Sequence, residues 1–434
     1  MSPDLVGLIG VIAILVLFLL RVQIGITMLV VGFVGYWYLV NWNAALSVVG
    51  MVPFASASNY GLSVLPLFIL MGLFLAYGGL GRDIFQAVDA WFRHVRGGLA
   101  ISTIGACAAF AAVSGSATAT AATIGSIALP EMKRYGYADS MATATVAVAG
   151  TLGILIPPST VLVIYGILTE QSIGQLLIAG IIPGFMLAGM MMLTIYFQVR
   201  IKPSMAPTQK QLPWKAKFVS LKKIWPILVI FLLVMGGMYT GFFTPTEAAA
   251  FGAFTSLIFA IVTRQFSRKV LTSSLDQTVR TTAMLFLILI GAMVFSRFLA
   301  VTRLPYDLTE MIAALEISRY AVMLIIIFSL VVLGCFIEGI SIMVLTLPVL
   351  YPLILELGFD GIWFGILLVV LLNIGMITPP VGINVFVTAG IAKDVPLMTI
   401  FRGIVPLLIT MIVFCIILLF FPQIATFLPN LMRG

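Results

Sequence analysis

Apolar runs of membrane-crossing length recur along the whole chain, near residues 5–20, 24–41, 63–80, 140–168, 172–198, 224–243, 246–263, 281–300, 361–390 and 403–421. Uncharged apolar runs of about 20 residues read as transmembrane helices. Two further blocks, 99–130 and 320–355, fit no single crossing. At about 1.5 Å per residue each is long for one span and short for two spans joined by a polar turn. The centre of the first block is Ser114-Gly115-Ser116, followed by alternating small residues and threonines. One reading is a long tilted helix with a weak middle. The other is a re-entrant hairpin that enters the membrane, turns at Ser-Gly-Ser and leaves by the same side. Segment 44–60, with Pro53 and several serines, reads as an interfacial helix.

The charges choose between these readings. With both awkward blocks drawn as hairpins, one side of the membrane collects 19 of the 23 basic residues, from Arg21 through Lys133, Lys210 and Lys223 to Arg402. The other side collects Arg297, Arg303, Arg319 and Arg433. A block that crossed once would swap every later loop and dilute this bias. The positive-inside rule therefore favours two hairpins, with both termini periplasmic. The first hairpin then enters from the cytoplasm, between Arg96 and Lys133, and the second from outside, after Arg319. Opposite entry is the mark of an inverted-topology repeat. Weak echoes agree: Gly79-Leu80-Gly81-Arg82-Asp83 with Arg303-Leu304-Pro305-Tyr306-Asp307, Ala128-Leu129-Pro130 with Thr346-Leu347-Pro348, and the segment starting at Gly153 with that starting at Gly375. They lie 224, 218 and 222 residues apart.

The expected architecture is an all-α polytopic membrane protein with about ten transmembrane helices and two re-entrant helical hairpins in an inverted repeat. Residues 1–198 form the first half, with a hairpin at 99–130 and a broken helix at 140–168. Residues 199–223 form a basic cytoplasmic connector. Residues 224–434 form the second half, with a hairpin at 320–355 and a broken helix at 361–390.

Composition narrows the class. The chain is 62% hydrophobic and 9% charged, with a mean hydropathy of +1.20, whereas soluble domains carry about 25% charged residues. The net charge of +8 is spread over loops, so it points to cytoplasmic loops and membrane lipid and not to nucleic acid. The three cysteines sit in apolar runs without pairing or metal-ligand spacing, and the single histidine, His94, lies between Arg93 and Arg96 at headgroup level. No transition-metal site is expected. The apolar start ahead of Arg21 lacks a basic n-region and a cleavage site and reads as an uncleaved first helix.

Chemistry is concentrated where the helices break. Pro157-Pro158 and Pro379-Pro380 remove backbone donors and free carbonyls one turn earlier, and in a bilayer those carbonyls need partners. Two similar cation sites follow. One combines Ser114, Gly115 and Ser116 with the Gly150–Pro157 segment, which includes Gly153. The other combines the tip from Gly334 through Glu338 and Gly339 to Ser341 with Thr378-Pro379. Carbonyls and hydroxyls without a carboxylate cage suit Na⁺ as the coupling ion, and no organic cofactor is expected. Helix N-termini at the tips favour an anionic group such as a carboxylate. Glu338, the only acid in the second hairpin's core, is either a functional intramembrane group or a tip residue that faces a watery vestibule or caps the following arm. Glu247, beside Pro245, reads as the first turn of a helix.

Four ordered motifs, SGSATATAATIGSIALPEMKRYGY, GTLGILIPPS, GFFTPTEAAAFGA and NIGMITPPVGINVFV, resemble the large membrane subunit (DctM/SiaM-like) of tripartite ATP-independent periplasmic (TRAP) transporters. The resemblance covers essentially the whole chain. It implies an elevator-type, sodium-driven carrier of an organic acid in the bacterial inner membrane. It further implies a small four-helix membrane subunit (DctQ/SiaQ-like) and a periplasmic substrate-binding protein (DctP/SiaP-like). Substrate contacts would then fall to Ser116, Thr118, Pro158, Ser159, Ser341, Pro380 and Asn384. Sialic acid is placed ahead of C4-dicarboxylates as substrate. The competing readings are a sodium–dicarboxylate symporter that needs no binding protein and an ion channel. An intramembrane serine hydrolase lacks a base near Ser114 or Ser116.

Overall fold

The computed structural model describes residues 1–20, 22–209, 211–314 and 317–432. Arg21, Lys210 and Arg433, which enter the charge count, lie outside the described residues. Among the described residues the structure is helical and carries no strand. The chain opens with α1 (Pro3–Leu19), α2 (Ile24–Leu39), α3 (Trp42–Ala57) and α4 (Val64–Tyr77). Then come α5 (Leu80–Phe92), α6 (Gly98–Ser114), α7 (Ala117–Arg134), α8 (Asp139–Gly150), α9 (Thr160–Thr169), α10 (Ile173–Ala179) and α11 (Ile181–Ile201). The link carries α12 (Trp214–Leu221). After it come α13 (Trp225–Phe231), a π turn, α14 (Gly237–Tyr239), α15 (Pro245–Val262) and α16 (Arg268–Thr302). The chain ends with α17 (Leu304–Ala314), α18 (Arg319–Gly334), α19 (Gly339–Glu356), α20 (Gly361–Gly375), α21 (Ile383–Ile391), α22 (Leu397–Phe420) and α23 (Gln423–Met432).

Among the described residues six stretches are each long and apolar enough to cross a membrane: Tyr60–Tyr77, Ile173–Ile201, Pro245–Val262, Arg268–Thr302, Gly339–Glu356 and Leu397–Phe420. Shorter apolar helices account for much of the rest. The chain is a multi-pass membrane protein. Length and composition admit α19 itself as a span, so they do not separate a crossing helix from a hairpin arm.

The order of elements runs twice. An apolar helix (α4 or α16) ends near a residue in the left-handed region, Gly79 at φ 77° or Arg303 at φ 57°. A short amphipathic helix follows (α5 or α17), then two helices joined by a tight turn (α6–α7 or α18–α19). A buried helix comes next (α8 or α20), broken before a Pro-Pro pair, and a short helix leaves the pair (α9 or α21). Apolar periodicity did not single out α5, α17 or α23. At 13, 11 and 10 residues they are too short to stand out as crossing runs.

Helix α16 is longer than the 281–300 apolar run. Ser267 accepts from Val270 N at 3.2 Å and starts the helix at Arg268. An exposed Asp276–Arg280 pair one turn apart then lies on the polar part of the helix. Glu247 forms a reciprocal cap with Thr244 at the start of α15.

Two packing groups emerge. In one, α2 and α4 lie along α16, with α15 against α4. In the other, α6, α7, α8, α20 and α22 pack together, with α18, α19 and α21 around them. Every residue of α20 is buried, and so is all but the start of α8. A helix buried all round belongs in the interior of a bundle. The link is tied down at both ends. Ala138 N donates to Met205 O at 2.9 Å. Further on, the buried Lys217 ammonium lies 4.8 Å from the Trp214 ring and 5.7 Å from the Trp91 ring.

Candidate functional site

The first turn needs only three residues to end one helix and start another. Gly115, at φ 64°, takes the left-handed position after α6. Ser116 then caps α7, its hydroxyl accepting from Ala119 N at 3.3 Å. The Ser114 and Thr120 hydroxyls are 2.8 Å apart, and Thr120 Oγ1 also donates to Ser116 O at 2.8 Å. The Ser116 and Thr118 hydroxyls are 3.3 Å apart.

The broken segment after α8 closes over this turn. Thr160 Oγ1 donates to Gly115 O at 3.1 Å. The Gly115 Cα approaches Pro158 O so closely that a Cβ there would stand 2.7 Å from it. A Cβ on Gly153 would stand 2.6 Å from Thr120 Oγ1, and one on Gly150 would meet Ala121. Pro157 and Pro158 are buried. The structure therefore brings together Ser114, Gly115, Ser116, Thr118, Gly150, Gly153 and Pro158. Ser159 is buried too, but its hydroxyl is engaged locally: it donates to Ile154 O at 2.6 Å and accepts from Leu162 N at 3.2 Å as the cap of α9. At the base of the hairpin, the Tyr137 hydroxyl accepts from Leu99 N at 3.1 Å. Burial pushes its phenol up to about 12.

The second turn is built differently. Glu338 caps α19, its carboxylate accepting from Ser341 N at 3.2 Å and Ser341 Oγ at 2.9 Å. Gly339 and Ser341 are buried beneath it. Gly334 and Gly375 touch backbone to backbone; a Cβ on Gly375 would stand 2.6 Å from Gly334 Cα. Val381 N donates to Cys335 O at 3.1 Å, tying the tip to the broken helix. Thr378 Oγ1 donates to Ile374 O at 2.6 Å. Pro379 and Pro380, unlike their counterparts, are exposed.

The two regions meet through Asn384, whose side-chain amide donates to Ala147 O of α8 at 3.2 Å. Its Oδ1 is buried and has no partner among the described residues.

Three site residues escaped the sequence reading. Thr120 joins the site through hydrogen bonds within the turn itself, to the Ser114 hydroxyl and the Ser116 carbonyl, and Thr160 through a tertiary contact that no local pattern discloses. Asn373 was discoverable, because it is the one amide in the apolar run 361–377. It is fully buried, and neither its Oδ1 nor its Nδ2 has a hydrogen-bond partner among the described residues. A buried amide left unpaired costs about 1–3 kcal/mol, so such a group calls for a polar partner.

The oxygens gathered at the first turn are neutral: carbonyls of Gly115, Ser116 and Pro158 with hydroxyls of Ser114, Thr120 and Thr160. That donor set suits a hard monovalent cation and lacks the thiolates and imidazoles of transition-metal sites. Among the described residues no cluster of three or more His, Cys, Asp or Glu side chains is placed to hold a metal ion.

Residues 11–424 match the family described as the tripartite ATP-independent periplasmic transporter, DctM component. The chain belongs to this family. It is 39% identical over 380 residues to the C4-dicarboxylate TRAP transporter large permease of Pseudomonas aeruginosa, covering 87% of this chain and 88% of that one. It is 32% identical over 377 residues to the sialic acid TRAP transporter large permease of Vibrio cholerae, again covering 87% and 88%. Among solved structures it resembles the YdaH transporter of Alcanivorax borkumensis, with a TM-score of 0.59, 14% identity and coverage of 88% and 89%, a likeness of fold alone. As a TRAP large permease the chain is a transporter subunit and not an enzyme.

Proposed function

We propose that this permease carries a small organic carboxylate across the inner membrane by sodium-coupled secondary transport. The observation that carries the reading is the first turn, where Thr160 Oγ1 donates to Gly115 O and neutral carbonyl and hydroxyl oxygens lie together. Such oxygens can replace the hydration shell of Na⁺. Ser114, Ser116, Thr120 and Thr160 would hold the ion there, and Gly334, Glu338, Thr378 and Asn373 would serve a second one.

Glu338 already supplies an anion to the start of α19. A carboxylate substrate is therefore better served at the α7 N-terminus, by Ser116 and Thr118, with Asn384 between the two regions and Pro380 and Ser341 at the second rim. The higher identity to a C4-dicarboxylate permease than to a sialic acid permease supports a dicarboxylate as the first substrate to test, reversing the order set from the sequence. An elevator motion is supported by the packing: both turns and both Pro-Pro segments belong to the group built on α6, α8 and α20, and α2, α4, α15 and α16 would be the fixed frame. In this reading 1–198 and 224–434 are inverted halves with periplasmic termini. A small four-helix subunit leans on the frame, and a periplasmic binding protein delivers substrate.

Reconstitution in liposomes tests the reading. Uptake of a C4-dicarboxylate should require an inward sodium gradient, the small subunit and the loaded binding protein. Uptake by this chain alone would favour the self-sufficient symporter, and currents far above carrier turnover would favour a channel.

A further inference from the structure

A cavity of about 320 Å³ opens where the end of α11 meets the first turns of α22, far along the chain from either hairpin tip. Lys202, Arg402, Gln198 and Ser140 line it, with Gly403 and Pro406. Both cations are uncompensated. Among the described residues neither Lys202 nor Arg402 makes an ion pair or a side-chain hydrogen bond. The nearest acid in sequence, Asp139, does not line the cavity. The site therefore offers two positive charges, an amide and a hydroxyl to an anion, and no negative charge of its own.

Its surroundings are those of a lipid and not of a soluble anion. Ile201, on the cavity wall, is 78% exposed. Phe197 continues its face along α11, and Val405 and Ile409 stand exposed on α22. Deeper in, the Thr194 and Thr410 hydroxyls, 2.6 Å apart, pin the two helices together. The result is a groove that is cationic at the connector end and apolar along its length. Basic pockets between transmembrane helices suit anionic headgroups, and flanking apolar rows suit acyl chains.

We propose that this groove binds one anionic phospholipid, its phosphodiester held by Lys202 and Arg402 and its chains lying along α11 and α22. The proposal does not depend on the sodium reading. The site sits where the Pro203–Met205 turn of the link, α8 and α22 converge, so an occupied groove ties the link between halves to the bundle that carries both tips.

The test is native mass spectrometry of the full chain, purified in neutral detergent and titrated with phosphatidylglycerol or phosphatidylcholine. Phosphatidylglycerol should be retained and phosphatidylcholine released. A Lys202→Gln/Arg402→Gln double variant should bind phosphatidylglycerol roughly 30-fold more weakly, since each headgroup-level cation contributes about a fivefold factor. Arg402→Lys should keep most of the affinity, which guards against a folding defect in the double variant. Lys222→Gln/Lys223→Gln, which removes equal charge from the link outside the groove, should leave it unchanged. Equal binding by the double variant and the parent overturns the proposal, as does equal retention of the two lipids. Displacement of phosphatidylglycerol by millimolar inorganic phosphate also overturns it, by making the cavity a soluble-anion site.

Discussion

The two turn-and-Pro-Pro regions share an order of elements but differ in how they are sealed. In the first, α6 and α7 pack on each other, Pro157 and Pro158 are buried, and a hydroxyl-to-carbonyl hydrogen bond from Thr160 to Gly115 O locks the turn to the broken segment. In the second, α18 and α19 each pack more on α20 than on one another. Pro379 and Pro380 face outward, and the tip is organised by the carboxylate of Glu338. One arrangement is a neutral interior cage, and the other is an accessible tip with a charge. In the proposed reading the same backbone plan serves two uses: coordination of an ion away from water, and an approach that can open or close.

The comparison can be broken most forcefully at the first region. Gly153→Val would drive a side chain into the Ser116 carbonyl and the Thr120 hydroxyl. Sodium-driven uptake should fall at least a hundredfold with the protein still in the membrane. Uptake above a tenth of the parent's would show that the contact is not needed. Thr160→Val and Ser114→Ala each remove one hydrogen bond worth about 1 kcal/mol and one oxygen from the cage. The sodium concentration for half-maximal uptake should rise about tenfold in each, and unchanged sodium activation would detach these hydroxyls from the ion.

Asn373→Leu separates structure from function. An unpaired buried amide replaced by an apolar side chain should leave the melting temperature in detergent unchanged or raised. Uptake should nevertheless drop several-fold, whereas a drop in both would reduce Asn373 to a packing role. Glu338→Gln keeps an acceptor for Ser341, so the α19 cap should persist. A two- to threefold change in uptake is expected if the charge is chiefly a cap, and near-complete loss would move the carboxylate into the ion site.

The smallest effect belongs to the exposed Lys133–Asp394 pair, which bridges the end of α7 to the turn before α22. The Lys133 ammonium holds the Asp394 carboxyl below its ordinary 3.8, and Asp394 in turn raises Lys133 above 10.5. A depressed carboxyl contributes above its unfolded value and is lost as pH falls through the folded one. A raised ammonium contributes below its unfolded value and is lost as pH rises through the folded one. Asp394→Asn should therefore lower the melting temperature slightly and evenly between about pH 4 and pH 10. The difference from the parent should shrink outside that window, and an effect that grew at low pH would contradict the pairing.

Much of this was legible in the chain. Ser-Gly-Ser announces a helix end and a helix start because glycine accepts positive φ and serine caps, both local properties. Pro-Pro announces a broken helix for an equally local reason. The contacts that turn those breaks into a site are not local. Thr160 lies 45 residues from the Gly115 carbonyl it binds, and nothing in its neighbourhood marks it. Lys217 reads as one more loop cation, yet it lies buried between two indoles because α12 folds back on α5. The second Pro-Pro pair is exposed and the first is buried, a difference that identical dipeptides cannot encode.

The hydrogen bond from Leu99 N to the Tyr137 hydroxyl has a consequence for anyone who sets out to watch this protein move. It fastens the first turn of α6 to the short connection between α7 and α8. The hairpin and α8 should then travel as one rigid piece, like a tuning fork gripped at its stem. Under the proposed elevator motion, spin labels placed on α6 and α8 should hold a constant separation through the cycle and serve as an internal ruler, while a label on α4 should register the stroke.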